Sequence, residues 1–90
     1  MLAIEVTSHL RRLVTLPESI EVNAATVAAA LDQLEQLAPR IDSYLRHEDG
    51  SLRQHVNLFL DEQFVRDRKT LSDSTDGVSR LFIMQALSGG

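Results

Sequence analysis

The sequence predicts an α+β domain, a mixed sheet of four to five strands with one main helix packed across one face. Three observations predict it. Short segments near both ends and in the second half alternate apolar and polar residues, the period of a strand with one buried face. One long segment, TVAAALDQLEQLA, instead carries apolar residues at the three-and-four spacing of an amphipathic helix. Ninety residues with 43% hydrophobic content leave room for a single core, so the sheet and the helix must bury each other.

The elements follow in chain order. LAIEVT puts Leu2, Ile4 and Val6 on one face, and SIEV does the same with Ile20 and Val22; HLRRLVTLPE between them reads as a hairpin loop. Thr26 can cap the helix, whose inward stripe is Val27, Ala30, Leu31, Leu34 and Leu37, with Asp32, Glu35 and Gln36 facing water. Pro39 marks its end. RIDSYLRHEDGSLRQ offers Ile41, Tyr44 and Leu45 for a short helical turn and then reads as a surface loop around Asp49-Gly50. HVNLFL and QFVRD flank Asp61-Glu62 as a tight hairpin with Val56, Leu58, Leu60 and Val65 inward. Asp76-Gly77 turns the chain into the last strand, RLFIMQ, with Leu81 and Ile83 inward. The domain is expected over residues 1–85, and residues 86–90, ALSGG, are expected to be a flexible C-terminal tail.

Charge and composition narrow the function. A formal net charge of −4 with scattered basic residues gives no footprint for nucleic acid or an anionic membrane. No apolar run approaches the roughly 18 residues needed to cross a bilayer, and MLAIEVTSHLRR lacks the parts of a signal peptide, so the expected compartment is the cytoplasm. Cysteine is absent, which excludes disulfides, thiolate metal sites and a cysteine nucleophile. His9, His47 and His55 lack metal-ligand spacing, and no G-x-S-x-G elbow or phosphate loop occurs, so no metal, no bound cofactor and no catalytic residue is expected.

Strand alternation also predicts a surface. If Leu58, Leu60, Leu81 and Ile83 face the helix, then Phe59, Phe82 and Met84 face the other way, and Phe64 beside Val65 joins them. Exposed apolar patches on a small domain mark partner surfaces, unless the segment from Arg46 to Gln54, or Arg11 and Arg12, covers them.

VNLFLDEQFVRD, a loop, a DG turn, an apolar strand and a terminal ALSGG together resemble the second half of the ubiquitin-like β-grasp sulfur carrier proteins of thiamine, molybdopterin and cysteine biosynthesis. IEVTSHLRRL resembles the first strand and Leu-Arg turn of that family, and NAATVAAALDQLEQ its helix entry, so the resemblance covers nearly the whole chain. The extended stretch from Arg46 to Gln54 brings it nearest to the carrier type used with a cysteine synthase; Gln85 stands where a proline is frequent, and Gly77-Val78-Ser79-Arg80 replaces a more acidic turn.

The resemblance implies a β-grasp fold with the first and last strands side by side, and a carrier rather than an enzyme. It implies that an ATP-dependent activating enzyme related to the ubiquitin-activating one adenylates the Gly90 carboxylate, that sulfur from a donor then leaves a thiocarboxylate, and that an acceptor synthase takes the sulfur. Gly89 and Ser88 would thread the partner's channel, where missing or small side chains permit close approach to ATP. Docking would use the outer sheet face, with Phe64 and Met84 the best matches. With Gly90 last in the chain, no protease is expected to be needed. The free carrier is expected to be monomeric. A molybdopterin synthase small subunit, a modifier joined through Gly90 to target lysines, and a regulatory partner that uses only the apolar face are the alternatives.

Overall fold

The computed structural model describes residues 1–85. β1 (Leu2–Val6) leads into α1 (Ser8–Val14), β2 (Ser19–Val22) and the main helix α2 (Val27–Leu37). A 3-10 turn (Pro39–Ile41) and α3 (Asp42–Leu45) follow, then β3 (Val56–Leu60), β4 (Gln63–Phe64) and β5 (Arg80–Gln85). The five strands form one sheet in the order β2-β1-β5-β3-β4. β1 and β5 pair in parallel, Ile4 opposite Leu81 and Val6 opposite Ile83, and the other pairs are antiparallel. The first and last strands therefore lie side by side, as expected.

The core is the set that alternation selects. Leu2, Ile4, Val6, Val22, Val56, Leu58, Leu81 and Ile83 are buried from the sheet, and Val27, Ala30, Leu31 and Leu34 from α2. Each of the Val, Leu and Ile side chains contributes roughly 1.5–3 kcal/mol when fully withdrawn from water. The Thr26 hydroxyl accepts from Ala29 N at 3.2 Å and starts α2, while Pro39 opens the turn beyond it. Asp61 takes the left-handed conformation that closes the β3–β4 hairpin, and its carboxylate accepts from Arg80 N at 3.0 Å, anchoring the start of β5.

Four expectations are corrected. HLRRLVTLPE is not a hairpin loop: Ser8–Val14 is helical, because Leu10 plunges to zero exposure and Leu and Arg favour helix, until left-handed Thr15 and then Pro17 end it. Leu37 is 63% exposed, since in the last turn it falls roughly 80° from the centre of the buried stripe, where Ala38 sits instead. The segment after α3 is more than a surface loop. Leu45 and Leu52 are buried and Arg46 bridges to Leu52, so the excursion carries its own part of the core. Finally, β4 is two residues long rather than five, because the chain leaves the sheet at Val65, which turns into the core.

Two carboxylate clusters fix the irregular segments. Arg46, whose side chain is 9% exposed, meets Asp42 at 2.6 Å, Asp32 at 3.1 Å and Glu35 at 3.4 Å, which ties the excursion to α2. Its partners are more exposed than it is, which moderates the strength of the pairs. Arg46→Ala is expected to cost about 2 kcal/mol, mostly by leaving Asp42 unpaired and the excursion unanchored, read as a lower urea midpoint at unchanged slope.

Asp67 organises the long connection from β4 to β5. It accepts from the Ser72 hydroxyl at 2.6 Å, from the Thr70 hydroxyl, and from the amides of Thr70 at 3.0 Å and Lys69 at 3.1 Å. Those donors, the Ser72 and Thr70 hydroxyls first, hold its carboxyl well below the usual carboxylate range. Because the folded value is depressed, the unfolded chain binds the proton first: the stabilisation is complete at neutral pH and is lost as pH falls from about 4 toward the folded value. Asp67→Asn is expected to lower neutral stability and to flatten the acid limb of a stability-versus-pH curve measured by urea unfolding.

Candidate functional site

The register of the sheet assembles the outer face. Glu5 lies opposite Phe82, Phe82 opposite Phe59, and Phe59 opposite Phe64, one row across four strands. Ring centroids are 4.5 Å apart for Phe59 and Phe64 and 6.3 Å for Phe59 and Phe82, both tilted pairs, a geometry that stabilises aromatic contacts beyond area burial. Met84 continues β5 beside the row, opposite Asn57. Phe64 is 62% exposed and Met84 36%, while Phe59 and Phe82 are half-buried by their neighbours. The four residues that alternation assigns to the outer face are thus brought together as one patch.

Arg80 is the residue that sequence reasoning missed. Its guanidinium lies 5.3 Å from the Phe82 centroid, and Nη1 is 3.3 Å from Glu5 Oε1, so the charge rests on an aromatic face while paired to a carboxylate. It covers Phe82 from the side. Neither of the foreseen covers does this: Arg46 turns toward α2, and Arg11 and Arg12 line a shallow cleft with Ser8, Thr15 and Leu16. The signal for Arg80 was present, since it stands two residues before Phe82 on the same strand face.

The patch has a rigid backing and an open front. Leu81 and Ile83, which flank Phe82 on β5, have zero exposure, so the ring positions are set by a packed core. Ser88, Gly89 and Gly90 lie outside the described residues, as does the expected tail 86–90 as a whole. What is described is the residue that leads to them: β5 runs to Gln85, one residue past Met84, at the margin of the patch.

Among the described residues, no three His, Asp or Glu side chains are grouped to hold a metal ion, and no helix is long and apolar enough to cross a membrane. The three histidines are scattered, His47 in the excursion after α3, His55 just before β3 and His9 on α1. Asp61, Glu62 and Asp73 line an open cleft together with Arg66 and Arg80 at the far end of the sheet from Gln85, a mixed-charge rim rather than an acidic one.

No family model matches the sequence, and neither does a curated protein. Solved structures do match. A chain of the Amycolatopsis orientalis BexX/CysO complex superposes with a TM-score of 0.84 at 24% identity, over 100% of both chains. SAMP1 from Haloferax volcanii, a small archaeal modifier protein, gives 0.81 at 24% identity over 99% of this chain and 98% of its own. CysO from Mycobacterium tuberculosis gives 0.81 at 20% identity over 97% and 100%. At these identities the likeness is one of fold, and over its whole length the chain has the ubiquitin-like β-grasp fold of CysO and the small archaeal modifier proteins.

Proposed function

We propose that the protein is a sulfur carrier that works through the carboxylate of Gly90, with catalysis residing in partner enzymes. The observation that carries the reading is the aromatic patch beside the end of β5: a partner seated on Phe59, Phe64, Phe82 and Met84 stands next to the residues that lead to Ser88-Gly89-Gly90. That the same fold occurs in a complex of CysO with BexX supports a protein partner as the occupant of such a surface.

The chemistry follows from what a carboxylate lacks. Its carbon is a poor electrophile, so the partner lets a Gly90 oxygen attack the α-phosphorus of ATP, releasing pyrophosphate and leaving an acyl-adenylate. A sulfide-level donor then attacks the acyl carbon, AMP departs, and Gly90 ends as a thiocarboxylate, a good nucleophile near neutral pH. No residue of this chain needs to move a proton in either step. Glycine at 89 and 90 removes the Cβ atoms that would obstruct a narrow channel, and each extended residue adds about 3.3 Å of reach. An acceptor synthase would then take the sulfur, with a cysteine-type product favoured by the resemblance. ATP and the sulfur donor are substrates of the partner, and the compartment proposed is the cytoplasm.

The test is intact-mass analysis of the native protein, or of protein incubated with its activating enzyme, ATP and sulfide. The expected result is exchange of one oxygen for one sulfur at Gly90, and a chain that stays unmodified under those conditions overturns the reading. The modifier alternative is favoured by one observation, the fold match to small archaeal modifier proteins. Isopeptide remnants of the Gly90 end on lysines of other proteins would establish it instead.

A further inference from the structure

The chain holds two Asp-Gly pairs, Asp49-Gly50 and Asp76-Gly77, and the fold treats them differently. In such a pair the glycine nitrogen can attack the aspartate side-chain carboxyl, because glycine puts no Cβ in the path of the closing ring. The reaction needs that nitrogen and that carboxyl to be free. Both pairs lie in turns with a left-handed glycine, Gly50 at φ 91° and Gly77 at φ 75°, so backbone class does not separate them.

Hydrogen bonding does. Gly50 N, the nitrogen that would attack, donates to His47 O at 2.9 Å. The Asp49 carboxylate accepts from the Ser51 hydroxyl at 2.6 Å and from Ser51 N at 2.9 Å. Those donors, the hydroxyl first, hold the Asp49 carboxyl below its usual range, in the ionised form that is the poorer electrophile. Asp76 and Gly77 are exposed, and the turn around them is closed by Val78 N donating to Thr75 O at 3.0 Å. Asp76 N donates to Ser74 Oγ at 3.0 Å, which engages neither reacting group. Among the described residues, Gly77 N and the Asp76 carboxylate have no hydrogen-bond partner.

We infer that Asp76-Gly77 is a site of spontaneous isomerisation, and that Asp49-Gly50 is held against the same reaction by its own turn. Gly77 N attacks Cγ of Asp76, a C–N bond forms, and one carboxyl oxygen leaves as water with the protons of the carboxyl and the amide. The product is a cyclic succinimide. Water then adds at either ring carbonyl: opening at the side-chain carbonyl restores aspartate, and opening at the main-chain carbonyl leaves isoaspartate, with the backbone routed through Cβ and a free α-carboxylate. Atoms balance with no further reactant. That carboxylate is the kind of group that isoaspartyl methyltransferases esterify from S-adenosylmethionine. The inference stands whether or not Gly90 carries sulfur.

The added main-chain carbon would fall between two pinned points. Before it, Thr75 N donates to Ala25 O at 3.0 Å; after it, Ala3 N donates to Ser79 O at 3.0 Å and Arg80 N to Asp61 Oδ1 at 3.0 Å. The bond from Val78 N to Thr75 O, and the packing of half-buried Val78 on the core, are what must yield. Isomerisation therefore disturbs the start of β5, where Arg80 lies over Phe82.

The test warms the folded full chain at mildly acidic pH and then cleaves it with trypsin, which places Asp49 in residues 47–53 and Asp76 in residues 70–80. Isoaspartate is read by methyl transfer from S-adenosylmethionine to each peptide, with fragmentation to assign the position. Asp76 is expected to convert about fivefold or more faster than Asp49, the factor that one hydrogen bond to be broken first imposes on a rate. Amide shifts from Val78 to Phe82 should accompany it in the 15N-labelled chain. In urea, with both turns lost, the two rates should converge. Asp76→Glu, whose longer side chain closes a ring far more slowly, should abolish conversion at position 76 and the amide shifts, and should keep the fold because the position is exposed. Equal rates in the folded chain, a faster Asp49, or no isoaspartate at Asp76 would overturn the assignment. So would a difference that survives in urea, because local sequence rather than the fold would then set it.

Discussion

Replacing Ile83 by alanine is expected to cost about 3–4 kcal/mol, a large share of the roughly 5–15 kcal/mol that holds a small domain folded. Ile83 has zero exposure on the central strand, opposite Val6 of β1 and Leu58 of β3. The space left by its lost methyl and methylene groups is bounded by two neighbouring strands and the helix, so little collapse can fill it. Ile83→Val removes one methylene and should cost about 1 kcal/mol. Urea unfolding checks both, with lower midpoints and unchanged slopes. A loss below about 1 kcal/mol for Ile83→Ala would mean that β5 is not the centre of the core, and the placement of the patch and of the tail's departure would go with it.

Alternation made the fold legible because a one-residue slip would put every side chain of a strand on the wrong face. Leu2, Ile4 and Val6, and later Leu81 and Ile83, leave no ambiguity about which side is inward, and the same parity assigns Phe59, Phe82 and Met84 outward. What could not be read was structure set by position rather than period. SHLRRLV is a two-turn helix with one fully buried residue, Leu10, too short for its spacing to be told from a loop beside a proline. Leu52, Leu71 and Val78 sit in segments with no repeat at all, and their contribution to the core depends on the turns that Asp49, Asp67 and Gly77 impose.

Phe64→Asp is expected to weaken binding to the activating enzyme by about tenfold to a hundredfold while leaving the fold intact. The side chain is 62% exposed and β4 is a two-residue edge strand, so the stability cost is confined to its contact with Phe59 at 4.5 Å, about 1 kcal/mol. In a complex the same ring would be desolvated, and truncating a buried aromatic anchor costs 2 kcal/mol or more of binding. A carboxylate there adds the penalty of withdrawing a charge from water without a partner. Met84→Asp should act similarly, because Met84 lies between Phe82 and Gln85 on the same strand. Glu62→Gln on the exposed turn beside Phe64 should change affinity little, since rim charges act on the rate of encounter more than on the bound state. Isothermal titration against the activating enzyme of the same source organism separates the cases. Unchanged affinity in both aspartate variants would remove the patch as the docking surface, even if sulfur were still found at Gly90.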